Sequence, residues 1–157
     1  VSQVLILAVG HRPPAWVSAA CGDYLSRFGR RLKVELKEIP PARRSAGGLA
    51  AALAQEDARL LAALPDSAWP VLLDSRGEQY DSEALADAFS GWLEHGGPLA
   101  LLIGGADGFG PGVRARARAS WSLSRLTFPH MLARVLVAEQ LYRAWSLLHK
   151  LPYHREH

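Results

Sequence analysis

Apolar positions along the chain follow two rhythms, and the switches between them predict ten elements. Residues 4–9 form an unbroken apolar run, as expected of a strand covered on both faces. Val17, Ala20, Cys21, Tyr24, Leu25 and Phe28 then recur at three- and four-residue spacing and mark a helix face. Pro14 suits its first turn and Gly29 its end. Leu32, Val34 and Leu36 alternate with Lys33, Glu35 and Lys37, which predicts a second strand with one wet face at a sheet edge. Leu49, Leu53, Leu60, Leu61 and Leu64 mark a second helix, stopped by Pro65. Val71, Leu72 and Leu73 read as a short buried strand ending at Asp74. Asp81 or Ser82 caps a third helix that buries Leu85, Phe89, Trp92 and Leu93 and ends at Gly96 and Gly97. Residues 99–103 form the fourth strand. Pro111 opens a short helix carrying Arg114, Arg116 and Arg118, and residues 121–126 form the fifth strand. Thr127 or a neighbour caps a last helix, begun by Pro129 and reaching Lys150.

Strands that alternate with helices in this way imply one α/β domain over residues 1–157, with a five-stranded, mainly parallel sheet and flanking helices. Residues 40–48, rich in Pro, Gly and Arg, look like a solvated, mobile linker. In the last helix Leu132, Val135, Leu136, Leu141, Tyr142, Trp145 and Leu148 form a broad apolar surface, widened by Met131, Val137, Ala144 and Leu147. A face so wide is expected to be buried on more than one side, in the core and in a dimer interface. Glu139 and Arg143 are spaced for an ion pair one turn apart.

Composition narrows the class only a little. Apolar residues make up 49% and charged residues 21%, as in soluble domains. No apolar run is long enough to span a membrane, and the first residues lack a signal peptide's basic lead. The lone cysteine, Cys21, excludes an internal disulfide and suits a reducing cytosol, so a cytoplasmic protein is expected. The net charge of +3 is too small to establish a nucleic-acid partner. Of the eighteen basic residues all but three are Arg, whose planar fork suits phosphate, although an Arg- and Ala-rich composition explains that equally well. The six histidines are scattered and no metal constellation is visible, so no metal is expected.

The candidate chemistry gathers after the fourth strand, where Gly104, Gly105, Gly108 and Gly110 precede Pro111. Either this is a tight strand-to-helix turn, or it brings bare backbone up to a ligand at the carboxyl end of a sheet. Its spacing matches no Gly-x-Gly-x-x-Gly fingerprint, and no lysine lies between Lys37 and Lys150 to complete a phosphate loop.

Four segments carry a resemblance: Leu102-Ile-Gly-Gly-Ala-Asp-Gly108, Trp121-Ser-Leu-Ser-Arg-Leu-Thr-Phe-Pro-His130, Arg134-Val-Leu-Val-Ala-Glu-Gln-Leu-Tyr-Arg-Ala-Trp145 and Pro152-Tyr-His-Arg-Glu156. Together they make the whole chain closely resemble the RlmH family, SPOUT-class methyltransferases that N3-methylate a pseudouridine of 23S ribosomal RNA. The resemblance implies a carboxyl-terminal trefoil knot, a homodimer and S-adenosylmethionine as methyl donor. Carried over by position, the cofactor would meet Leu73, Gly104, Gly105, Leu123, Ser124, Arg125, Leu126, Thr127 and Phe128. Three departures stand out. Ala106-Asp107 replaces the usual Pro-Glu and Met131 a usual second Pro, both touching loop stiffness at the cofactor site. Leu151 stands where His often precedes the terminal Pro, which removes a candidate substrate contact.

An imide nitrogen holds its proton at neutral pH, so such an enzyme must assist deprotonation or favour the anion. On the resemblance the candidates are His154, Arg155 and Tyr153 in the terminal segment, which would otherwise read as an unstructured end. Arg155 suits a phosphate or the imide anion, and Tyr153 suits stacking on the base. His130 either caps the last helix or faces the active site. The short tail is placed to complete the partner chain's site. Two other readings use the same residues: a catalytically silent RNA-binding α/β module, and a SPOUT methyltransferase acting on another RNA.

Overall fold

The computed structural model describes residues 2–44 and 47–155. Five strands, β1 (Ser2–Val9), β2 (Leu32–Ile39), β3 (Trp69–Gln79), β4 (Leu99–Ile103) and β5 (Ala119–Ser122), form one sheet in the order β2-β1-β4-β3-β5. Every pairing is parallel. The helices are α1 (Ala15–Leu25), α2 (Gly48–Ala63), α3 (Ser82–Leu93), α4 (Pro111–Arg116) and α5 (His130–Leu148), with a short 3-10 turn at Ser26–Phe28.

Alternation along the central strands feeds two cores. Val4, Ile6, Leu99, Leu101, Val71 and Trp121 face the side covered by Phe28, Phe89, Trp92, Leu141 and Trp145. Leu7, Val9, Leu102 and Leu72 face the other, under Leu60, Leu64 and Val113. Helices α1, α3 and α5 thus share one layer, and α2 and α4 the other. Strand β2 lies at an edge, as its alternating charges require, and Cys21 is a buried core residue.

Four elements depart from the expected pattern for local reasons. Helix α2 buries Ala52, Glu56, Asp57 and Leu60, while Leu49 is exposed. The face is rotated because two carboxylates serve as backbone acceptors. Glu56 takes the Ala42 N–H at 2.9 Å, and Asp57 takes those of Gly110 at 3.0 Å and Val113 at 3.1 Å. Strand β3 runs beyond Asp74, because pairing to β5 resumes at Glu78 after a register shift. Strand β5 stops at Ser122 rather than 126. There Ser122 Oγ donates to the Ser124 carbonyl and Ser124 Oγ accepts the Leu126 N–H, a local serine turn that competes with the ladder. Helix α4 ends at Arg116, so Arg118 is not on it; the Arg118 N–H instead bonds the Pro70 carbonyl.

The ends of α3 and α5 differ in how they are capped. Asp81 caps α3 by accepting the Ala84 N–H at 2.8 Å. Helix α5 begins after Pro129 with no side-chain cap, so Thr127 does not serve that role; the proline ring presets the entry dihedral instead. Residues 40–44 are not a free linker, because Arg44 pairs with Glu56 and with Asp107; Ser45 and Ala46 lie outside the described residues. No helix among the described residues is long and apolar enough to cross a membrane.

Asp57→Ala would strip the acceptors from two buried N–H groups, each worth about 1–3 kcal/mol when left unsatisfied. The expected loss is therefore roughly 2–6 kcal/mol, read as a lower urea midpoint with unchanged slope.

Candidate active site

Parallel strands deliver their carboxyl ends to one edge of the sheet, and the register sets which side chains meet there. Leu73 pairs with Ile103 on one side and with Trp121 on the other, so these three stand in one row. They form the floor of a cleft of about 420 Å³. Its walls are residues 74–76, 104–109 and most of 121–128, with His130 and Ala133 from the start of α5.

The glycine turn is both a tight turn and a wall of this cleft. Gly108 N–H bonds the Gly105 carbonyl at 3.2 Å, and Gly108 holds φ at +76°. A Cβ on Gly104 would stand 2.8 Å from the Gly108 carbonyl oxygen, so bare backbone is required there. Gly77 is constrained the same way, since its Cβ would meet the Ser120 and Trp121 backbone at 2.7 Å. That close approach lets residues 74–77 loop out of β3 and sets Asp74 at the cleft.

Two carboxylates at the cleft, Asp74 and Asp107, are paired with arginines. Arg114 donates to Asp74 and also lies over the Phe109 ring, 6.0 Å from its centroid. Burial pushes the Asp74 carboxyl up, but the Arg114 guanidinium and the Arg76 backbone N–H outweigh it and hold it below its ordinary range. Asp107 points at Arg44 (2.9 Å), so the position that departs from the family pattern is tied to the segment after β2.

Of the residues predicted to hold a cofactor, Leu73, Gly104, Gly105, Leu123, Ser124, Leu126, Thr127 and Phe128 line the cleft. Arg125 is exposed and is not part of its lining. His130 lines it as well, and no side chain caps α5. The structure also brings in Arg134, which the pattern of leucines on α5 had masked. Its buried guanidinium donates to the Gly10 carbonyl at 3.1 Å and to Glu38 at 3.0 Å, fixing the first turns of α5 against the end of β1. Glu56 and Asp57 were equally hidden, since their leucine neighbours suggested another face.

The terminal segment lies elsewhere. None of the described residues 152–155 lines the cleft, and Glu156 and His157 lie outside the described residues. Tyr153 donates its hydroxyl to Glu139 at 2.7 Å and packs edge-on against Tyr142. Burial, then hydrogen bonding to Glu139 and Tyr24, drives the Tyr153 phenol well above its ordinary value. His154 Nδ1 sits 3.0 Å from Arg143, which also bonds Glu139 in the expected one-turn pair. Arg155 is exposed. His11 is exposed, His95 bridges the Trp92 and Ser67 carbonyls, and His149 packs at a tilt against Trp145 after α5. Among the described residues no three metal-ligating side chains cluster.

Comparison with known proteins agrees with this arrangement. Residues 3–154 match the family described as "Predicted SPOUT methyltransferase". A Ralstonia nicotianae protein named ribosomal RNA large subunit methyltransferase H is 50% identical over 98% of this chain and 99% of its own length. One of the same name from Alkalilimnicola ehrlichii is 51% identical over the same shares. The chain belongs to the SPOUT methyltransferase family. Solved structures with this fold include a probable methyltransferase from Bordetella pertussis Tohama I, with a TM-score of 0.57 at 15% identity over 92% of this chain and 95% of that one. TrmJ from Z. mobilis follows at 0.51 and 16%, over 92% of this chain and 70% of that one. For a SPOUT methyltransferase, a cleft at the carboxyl ends of β3, β4 and β5 is the candidate active site.

Gly104→Ala should reshape the turn and weaken S-adenosylmethionine binding by at least about tenfold, or roughly 1.4 kcal/mol, in calorimetry. Gly22→Ala, with open space around its Cβ, is the matched control and should bind as the parent does.

Proposed function

We propose that this methyltransferase uses S-adenosylmethionine to N3-methylate a pseudouridine of 23S ribosomal RNA. We further propose that it works as a homodimer in the cytoplasm, with the carboxyl-terminal segment threaded as a trefoil knot. The observation that carries this reading is the one cleft shared by the glycine turn and most of residues 121–128, two of the four segments that carry the resemblance. The relatives' name supplies the ribosomal RNA.

The cleft fits the donor. Its volume lies within the range of about 300–1,000 Å³ usual for small-molecule sites. Its lining joins apolar side chains (Leu73, Ile103, Leu123 and Phe128) to side-chain-free backbone at Gly104 and Gly105, which suits a flat heterocycle held by main-chain groups. The residues that would hold it are Leu73, Gly104, Gly105, Leu123, Ser124, Leu126, Thr127 and Phe128, with Arg125 at the rim. When bound, S-adenosylmethionine supplies an electrophilic methyl group.

The rest falls to the chain's own side chains. His130 is in the cleft, whereas Tyr153 and His154 are docked on α5 outside it. A tail that does not reach its own cleft is suited to complete a partner's, and α5 offers a surface for that partner. Leu132, Val135, Leu136, Leu147 and Leu148 remain partly exposed in one protomer, which supports pairing through this helix. Across the dimer, Tyr153 would support the target base, Arg155 would hold phosphate or the imide anion, and His154 would meet the reacting ring. Positioning the base and the donor together supplies much of the acceleration.

Labelled donor incubated with unmodified ribosomes should mark one pseudouridine of the large-subunit RNA, located by mapping the labelled nucleotide. A chain lacking residues 152–157 should bind the donor in calorimetry and transfer nothing. Full transfer by the truncated chain overturns the tail's role. No transfer by the intact chain points to a silent RNA-binding module, and label on another RNA overturns the substrate.

A further inference from the structure

The terminal segment docks onto α5 through four side chains joined in one network. Glu139 Oε2 accepts from both Arg143 Nη2 at 2.8 Å and the Tyr153 hydroxyl at 2.7 Å. Glu139 Oε1 accepts from Gln140 at 2.6 Å, so both oxygens of the carboxylate are engaged. Held by this carboxylate, Arg143 turns Nη1 to His154 Nδ1 at 3.0 Å. Its guanidinium also covers the Tyr153 ring, 5.0 Å from the centroid, and Arg27 approaches the same ring at 5.9 Å. The segment is therefore fixed on its helix through Tyr153 and His154.

A guanidinium has donors only, so the nitrogen it meets must offer a lone pair. His154 Nδ1 is then the bare nitrogen, and the neutral ring carries its one hydrogen on Nε2. We propose that Arg143 is a positioning residue that fixes His154 in the Nε2–H tautomer, so that His154 serves the methylation as a hydrogen-bond donor to an imide oxygen and not as the base. This rests on the reading of the tail as part of the active site.

The consequence is chemical. With Nδ1 occupied by a cationic donor and Nε2 already carrying hydrogen, the ring has no free lone pair with which to take the N3 proton. That proton must leave to an acceptor other than His154, either solvent water or His130 in the cleft. Donation from Nε2–H to the imide oxygen stabilises the negative charge that the ring nitrogen shares with its neighbouring carbonyl, which is the role of an oxyanion donor. Glu139 acts one step further back, since it orients Arg143 as a carboxylate orients a histidine elsewhere.

The tautomer is readable without turnover. In the intact protein labelled with ¹⁵N-histidine, long-range ¹H–¹⁵N correlation should show His154 with an unprotonated Nδ1 and a protonated Nε2. Arg143→Lys, which keeps a donor, should retain that pattern, and Arg143→Ala should give a mixed one. In transfer assays His154→Gln, which can donate but cannot act as a base, should stay within about tenfold of the parent, whereas loss of a general base costs about 10²–10⁴-fold. His154→Ala should fall well below His154→Gln. An Nδ1–H or doubly protonated His154 in the parent overturns the assignment, even if Arg143→Ala fails to fold. So does His154→Gln as inactive as His154→Ala. Full transfer by His154→Ala would instead overturn the tail's part in the site, while the tautomer pattern still reports on Arg143.

Discussion

Parallel pairing in a common register is the constraint on which this structure depends. Because β3 aligns with β4 and β5 at Leu73, three apolar side chains end in one row, and three different loops leave the sheet at the same level. A parallel sheet needs helices on both faces to cover it. Those crossovers send each loop back over the sheet edge, so the cleft follows from the topology. The glycines matter at that point because the loops crowd together, and at Gly104 and Gly77 a single Cβ would strike neighbouring backbone.

Buried charge then fixes loops that apolar packing leaves free. Asp57 reaches from α2 to the N–H groups of Gly110 and Val113, Glu56 holds Ala42 and Arg44, and Arg134 holds the Gly10 carbonyl. Asp57 thereby joins α2 to the end of the glycine turn and to α4, Glu56 joins α2 to the segment after β2, and Arg134 joins α5 to the end of β1. Burying such groups is costly unless their hydrogen bonds are met, and removing one partner costs more than the pair contributes. These positions therefore tolerate little change even though they do not line the cleft. The link from Arg44 to Asp107 extends the same device to the glycine turn.

Much of the fold was legible in periodicity alone. The unbroken run at 99–103 predicted β4 with its observed bounds, and the charged alternation of Lys33, Glu35 and Lys37 predicted an edge strand. Two of the failures share one physical cause, since apolar spacing carries no information about polar side chains that serve backbone groups. Glu56 and Asp57 displaced the leucine face of α2, and the serine turn at 122–124 ended β5 early. The cleft was legible because glycine, proline and strand ends mark loops, and the resemblance added residues 121–128 to it. The positions of Arg143 and Glu139 beside the tail were visible only as a one-turn ion pair, since nothing in their spacing shows where residues 153 and 154 fold back.

The central claim is that the glycine turn and the segment after β5 close on one donor. Titrating S-adenosylmethionine into the ¹⁵N-labelled protein while following backbone amides tests it most directly. The account predicts shifts concentrated at residues 73–76, 103–109 and 121–130, with the far end of the sheet around Gly97 unmoved. Shifts confined to either segment alone, or centred away from both, would contradict it.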